Sequence, residues 1–129
     1  MKVGLQAYVK GSREAVAFYQ KAFGVTLGYN VLNDDGSYMH AELYLDGQLL
    51  IAISESGSDV GTECMKKFSS SDYPTMNFCI NFENEAAVKR AYDVLTESGN
   101  ILIPLGALPW SSCCANVIDK YGIFWYISV

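Results

Sequence analysis

The chain has 129 residues, half of them apolar and 18% charged, a globular composition large enough for a core without disulfide or metal staples. Its formal charge of −5 argues against a nucleic-acid partner, since a phosphate backbone demands clustered bases; Lys66-Lys67 and Lys89-Arg90 are scattered and read as solvated faces. No apolar run approaches the roughly 20 residues of a membrane span, so neither nucleic acid nor membrane is an expected partner.

The opening MKVGLQAYVKG enters a strand at once and reads as lacking a signal peptide, which points to a cytoplasmic location. Val3, Leu5, Ala7 and Val9 alternate with Gly4, Gln6, Tyr8 and Lys10, the period of a half-buried strand. Gly11-Ser12 breaks the pattern, with Ser12 as the expected N-cap. Val16, Tyr19 and Phe23, with Ala15, Phe18 and Ala22, then make one apolar helical stripe that stops at Gly24. A strand over 25–32 is closed by the turn Asn33-Asp34-Asp35-Gly36. In the next strand, 38–45, Met39, Ala41, Leu43 and Leu45 share one face, and Tyr38, His40, Glu42 and Tyr44 the other. Asp46-Gly47 is a hairpin signal, and strand 49–54 sets Leu49, Ile51 and Ile53 against Leu50, Ala52 and Ser54. The first half is therefore βαβββ.

Residues 55–73 (ESGSDVGTECMKKFSSSDY) are polar and rich in Gly and Ser. A loop this long in a compact domain is either a functional flap or a linker; Met65 and Phe68 suit one short helical turn docked on the body. The second half then repeats the first. Phe78, Ile80 and Phe82 alternate with Asn77, Cys79 and Asn81 over 76–82. A helix over 85–98 follows, capped by Asn84, striped by Val88, Ala91, Tyr92 and Leu95, and stopped by Gly99. A strand over 100–105 meets Pro104, which belongs at a sheet edge. A loop over 106–112 carries Trp110. Strand 113–118, the turn Asp119-Lys120-Tyr121-Gly122 and strand 123–129 complete the chain. One domain is expected over 1–129: module one at 1–54, linker or flap at 55–73, module two at 74–129.

Cys64, Cys79, Cys113 and Cys114 form no C-x-x-C, and with one histidine in the chain a zinc site is not expected. They read as reduced thiols packed as small apolar residues, the alternative being a reactive thiol at a pocket. The apolar strand faces should meet the two helices. The mixed faces, with Gln6, Tyr8, His40, Glu42, Asn77, Asn81 and Tyr126, should line a concavity of the kind small molecules use; the alternative sends them to solvent or a partner subunit.

Two βαβββ modules in a chain of this length resemble the vicinal oxygen chelate superfamily, which includes glyoxalase I, bleomycin-resistance proteins and extradiol dioxygenases. The chain looks most like its PhnB-like branch, often described as 3-demethylubiquinone methyltransferase-like. The stretches that carry the resemblance are EAVAFYQKAFG (14–24), MHAELYLDGQLLIAIS (39–54), IPLGALPW (103–110) and VIDKYGIFWYI (117–127), in the family's order. It implies an α+β fold in which two modules form a curved, cupped mixed sheet with helices outside, and a homodimer whose half-sheets meet. Enzymes of the group usually hold a divalent metal on four strands, commonly through His and Glu. The matching positions here are Gly4 or Gln6, Ala52, Asn77 and Tyr126, none of them His, Asp or Glu, so no metal and no cofactor are expected.

The first functional expectation is a metal-free small-molecule binder like a bleomycin-resistance protein. Gln6, Tyr8, Tyr38, His40, Tyr44, Asn77, Trp110, Phe124 and Tyr126 are its candidate ligand-binding residues. Aromatic walls suit a small flat or cationic molecule. The competing expectations are an interaction module without ligand, a metal-free enzyme using His40 paired with Glu42 as general base, and a metal-dependent lyase or dioxygenase.

Overall fold

The computed structural model describes residues 1–58, 63, 67–69 and 71–129. Cys64, Met65 and Lys66, and with Met65 half of the expected helical turn, lie outside the described residues. The chain divides into two compact units, Met1–Asp59 and Val60–Val129. No helix among the described residues is long and apolar enough to cross a membrane.

The first unit contains β1 (Gln6–Val9), α1 (Ser12–Phe23), β2 (Thr26–Leu32), β3 (Tyr38–Leu45) and β4 (Gln48–Glu55), in the sheet order β1-β4-β3-β2. β1 runs parallel to β4, and the other neighbours are antiparallel. The stripe of α1 is buried as its periodicity requires: Ala15, Val16, Phe18, Tyr19, Ala22 and Phe23 pack over Ala41, Leu43, Ile51 and Ile53 of the sheet. Gly24 takes the left-handed conformation (φ 71°) and donates its N–H to Gln20 O, ending the helix.

The start of α1 differs from expectation. Gly11 is the N-cap, at φ 84°, and Ser12 is the first helical residue. The cap is supplied from 43 residues away by Glu55. Its carboxylate accepts from Gly11 N (2.9 Å), Ser12 N (3.0 Å) and Ser12 Oγ (2.9 Å). A carboxylate does this better than a hydroxyl because it also meets the positive end of the helix dipole. While donating to Glu55, the Ser12 hydroxyl also accepts from Tyr38 N (2.8 Å) and so ties helix, β3 and β4 together.

The second unit contains β5 (Phe78–Asn81), α2 (Glu85–Leu95), β6 (Asn100–Leu108), β7 (Ser111–Ile118) and β8 (Phe124–Ser128), in the order β5-β8-β7-β6. Asn84 caps α2 by accepting from Ala87 N. Val94, not Tyr92, completes the buried face with Val88, Ala91 and Leu95. The helix stops three residues before the expected Ser98, which itself adopts φ 57°. Gly99 is needed for space: a Cβ there would lie 2.5 Å from Leu95 O and 2.8 Å from Ile118 O. β6 continues past Pro104, which it tolerates as the edge strand. The expected 106–112 loop is thereby reduced to a tight hairpin with Trp110 at its tip. Together these make an α+β fold of two βαβββ modules.

Candidate functional site

Each sheet has one face under its helix and one face away from it. In the first unit the second face is set out by strand register. Gln6 pairs with Ala52, which pairs with Glu42; Tyr8 pairs with Ser54, beside His40. In these two rows β4 thus offers a methyl and a hydroxymethyl, between longer side chains on β1 and β3. Gln6 Nε2 donates to Ser54 Oγ at 2.8 Å across this floor.

On the β3 side, Glu42 is bracketed. The Tyr44 hydroxyl donates to Glu42 Oε2 at 2.6 Å, and His40 Nε2 lies 3.3 Å from Glu42 Oε1. The Tyr44 bond, and after it the imidazole, hold the Glu42 carboxyl below its ordinary range, and the same bond pushes the Tyr44 phenol up. Glu42 is therefore an anion at neutral pH, with 23% of its side chain still open and 34% of that of His40. A β-bulge adds a tyrosine. Register slips between Leu27 and Asn30, so Gly28 and Tyr29 together oppose Glu42. The Tyr29 ring, 67% exposed, lies 6.2 Å from the His40 ring. Gly28 is required because Tyr44 lies over it: a Cβ would sit 2.4 Å from the ring.

The second unit arranges its open face around Tyr126. The Trp110 indole N–H donates to the Tyr126 hydroxyl at 2.8 Å. Tyr126 pairs with Asn116 on one side and Cys79 on the other. Burial pushes the Tyr126 phenol up; the Trp110 bond works against that and the Cys114 thiol with it. Ser128, two residues along the strand, bonds to Asn81. The Cys79 thiol donates to Asn77 Oδ1 at 3.5 Å. Burial also pushes the Cys113 thiol up, which makes it a poorer nucleophile.

The residues singled out from sequence thus divide. Gln6, Tyr8, His40 and Glu42 share one open face with Tyr44, and Trp110 and Tyr126 are bonded to each other, with Asn77 on β5's approach. Tyr38 is corrected to the helix side. The register slips by one residue at Met39, exposing Met39, and the Tyr38 ring is buried with the Arg13 guanidinium 5.2 Å from its centroid. Phe124 shares a strand face with Tyr126 but is buried among Leu102, Ile118 and Phe68. Tyr29 was not anticipated; a glycine inside a strand, at position 28, was its one signal.

The positions where the resemblance would place metal ligands present an amide (Gln6), a methyl (Ala52), an amide (Asn77) and a phenol (Tyr126), with the Cys79 thiol beside the last. That donor set does not fit a hard divalent ion, which takes carboxylate or imidazole. Among the described residues no three His, Cys, Asp or Glu lie together.

The model of the Glyoxalase/Bleomycin resistance protein/Dioxygenase superfamily matches residues 4–127. Among solved structures the chain is similar to a putative 3-demethylubiquinone-9 3-methyltransferase, a PhnB protein from Bacillus cereus. Identity is 24% and TM-score 0.75, over 99% of this chain and 98% of that one. It is also similar to TioX from Micromonospora sp. ML1 (17%, TM-score 0.64, 98% and 94% covered). A third is a mutant of the fosfomycin resistance protein FosX from Listeria monocytogenes, complexed with Mn(II) and a dihydroxypropylphosphonic acid (14%, TM-score 0.64, 99% and 88% covered). At these identities the likeness is one of fold. No curated protein matches the chain.

Proposed function

Because the chain belongs to the glyoxalase/bleomycin resistance protein/dioxygenase superfamily while its donor set does not fit the divalent ion, we propose that it is a metal-free binder of a small, flat, cationic molecule. The observation that carries this is the Glu42 carboxylate, kept anionic by Tyr44 and His40 on a face that also presents Tyr8 and Tyr29, 71% and 67% exposed. A buttressed anion beside open aromatic faces is the pairing that attracts an organic cation. The small floor of Ala52 and Ser54 leaves room between the flanking side chains. On the second unit, Trp110 and Tyr126 offer a further aromatic pair, with Asn77 as a polar neighbour.

Benzyltrimethylammonium is a suitable probe. Titrated into labelled protein, it should shift resonances of Tyr8, Tyr29 and His40, and Glu42→Gln should weaken its binding about tenfold, the effect of losing one partly desolvated charge contact. Absence of shifts on this face, or equal affinity in Glu42→Gln, overturns the reading. An interaction module would show neither effect, and turnover appearing only with added Ni, Zn, Fe or Mn would restore the lyase or dioxygenase alternative.

The same reading includes a homodimer. Exposed Tyr8, Tyr29, Leu32, Met39 and Trp110 support it, as does the general preference for closed two-fold pairs. Sedimentation equilibrium should give twice the 14.2 kDa chain mass; a single monomeric species at high micromolar protein overturns it.

A further inference from the structure

Phe124 stands at one end of the open face of the second sheet. Its register partner on β7 is Ile118, and Leu102 of β6 completes a buried apolar floor. Tyr126, two residues on, continues the same strand face with its hydroxyl bonded to Trp110. The chain itself covers this floor. Phe68 packs against it, and the Tyr73 ring lies nearly parallel to Phe124, with centroids 6.2 Å apart and planes at 21°.

The two covering residues are not held alike. Phe68 is anchored, because Asn100 Nδ2 donates to its carbonyl at 2.6 Å. Further along, Asp72 N donates to Ser69 O (3.0 Å) and Ser69 Oγ to Asp72 Oδ2 (3.2 Å). Tyr73, the residue after Asp72, has 47% of its surface in solvent. The floor and Phe68 are thus built in, whereas Tyr73 applies one face of a phenol ring to Phe124.

We propose that this slot is an aromatic subsite, closed by Tyr73 and opened when the ring of a ligand replaces Tyr73 on Phe124. The occupant is a phenol or similar flat ring with one hydrogen-bonding substituent. Phe124 supplies the stacking face, Ile118 and Leu102 the apolar floor, and Tyr126 with Trp110 the nearest polar partners on that strand face. Tyr73 is a covalently attached phenol already seated in the position such a ligand takes. The site belongs to the second unit alone and stands whether or not the cation site of the first unit does.

The probe is p-cresol, the side-chain analogue of tyrosine, followed by NMR in the full chain. In the wild type it should shift Leu102, Ile118, Phe124 and Tyr73 together, since binding displaces Tyr73. Tyr73→Ala removes the competing ring and should bind p-cresol about tenfold more tightly, the worth of one aromatic pair. Tyr73→Phe keeps the ring and should bind like the wild type. Tyr73→Ala binding no more tightly than wild type, or shifts that fall away from Leu102, Ile118 and Phe124, overturns the proposal. Tyr73 is half exposed, so its truncation spares the fold, and unchanged resonances of Trp125 and α2 verify this.

Discussion

Asp119 is fully buried at the β7–β8 turn, and its replacement should be among the most damaging single changes in the second unit. One carboxylate oxygen accepts from Tyr121 N (2.9 Å) and Ile123 N (3.1 Å), and the other from the Trp125 indole N–H (2.8 Å). In Asp119→Ala the two turn amides, being only part-buried, can recover water, at a cost of about 1 kcal/mol each. The indole N–H is fully buried and cannot, so it adds about 1–3 kcal/mol. The sum is roughly 3–5 kcal/mol, a large share of the ~5–15 kcal/mol that holds a domain together. The melting midpoint should fall by roughly 10–20 °C. Asp119→Asn retains one acceptor oxygen but turns an NH2 toward a donor, so about half that loss is expected. Urea denaturation followed by circular dichroism measures both. Adding Trp125→Phe in a double-mutant cycle should return a coupling of about 1–3 kcal/mol between the two residues. A loss below ~1 kcal/mol in Asp119→Ala, or zero coupling, would refute the assignment of Asp119 as the organiser of this turn.

Other consequences are equally direct. The Glu55 carboxyl is subject to burial, which raises its pKa, and to a smaller push from Asp35, but the bonds from Ser12 and Gly11 outweigh these and the net shift is downward. Its contribution is thus present above the unfolded value near ~4.3 and is lost as pH falls through the folded value. Glu55→Gln should cost about 1–2 kcal/mol at pH 7 and flatten the acid limb of the stability profile; an unchanged limb would show that the cap does not titrate with folding. Tyr44→Phe removes the largest cause of the Glu42 shift, so the Glu42 carboxyl should titrate at higher pH in a carbon-detected NMR experiment. Gly28→Ala should do the same indirectly, by pushing the Tyr44 ring off its position; a Glu42 titration equal to wild type in both variants would count against the Tyr44–Glu42 bond. Gly99→Ala places a methyl against two backbone carbonyls and should destabilise by about 1–3 kcal/mol, read from the urea midpoint.

The order of elements, the buried stripe of α1, the stop at Gly24 and the Asn84 cap were all legible in the amino-acid sequence. Each depends on the backbone preferences and side-chain period of a few consecutive residues, and those act before any distant contact forms. What the local pattern left open, apart from the one sign given by Gly28, is where the register slips. The bulges at Gly28-Tyr29 and at Met39 exist because β2 must pair with β3 along a twisted sheet, and they decide that Tyr29 joins the Glu42 face while Tyr38 leaves it. The same holds for contacts between residues far apart in the chain: Glu55 on the start of α1, Gly99 against Ile118, Trp110 on Tyr126 and Tyr73 on Phe124. Local periodicity can say which side of its own strand or helix a residue occupies. Only the folded chain decides which partner waits there, because that choice is made by packing and hydrogen bonding summed over segments that no local pattern connects.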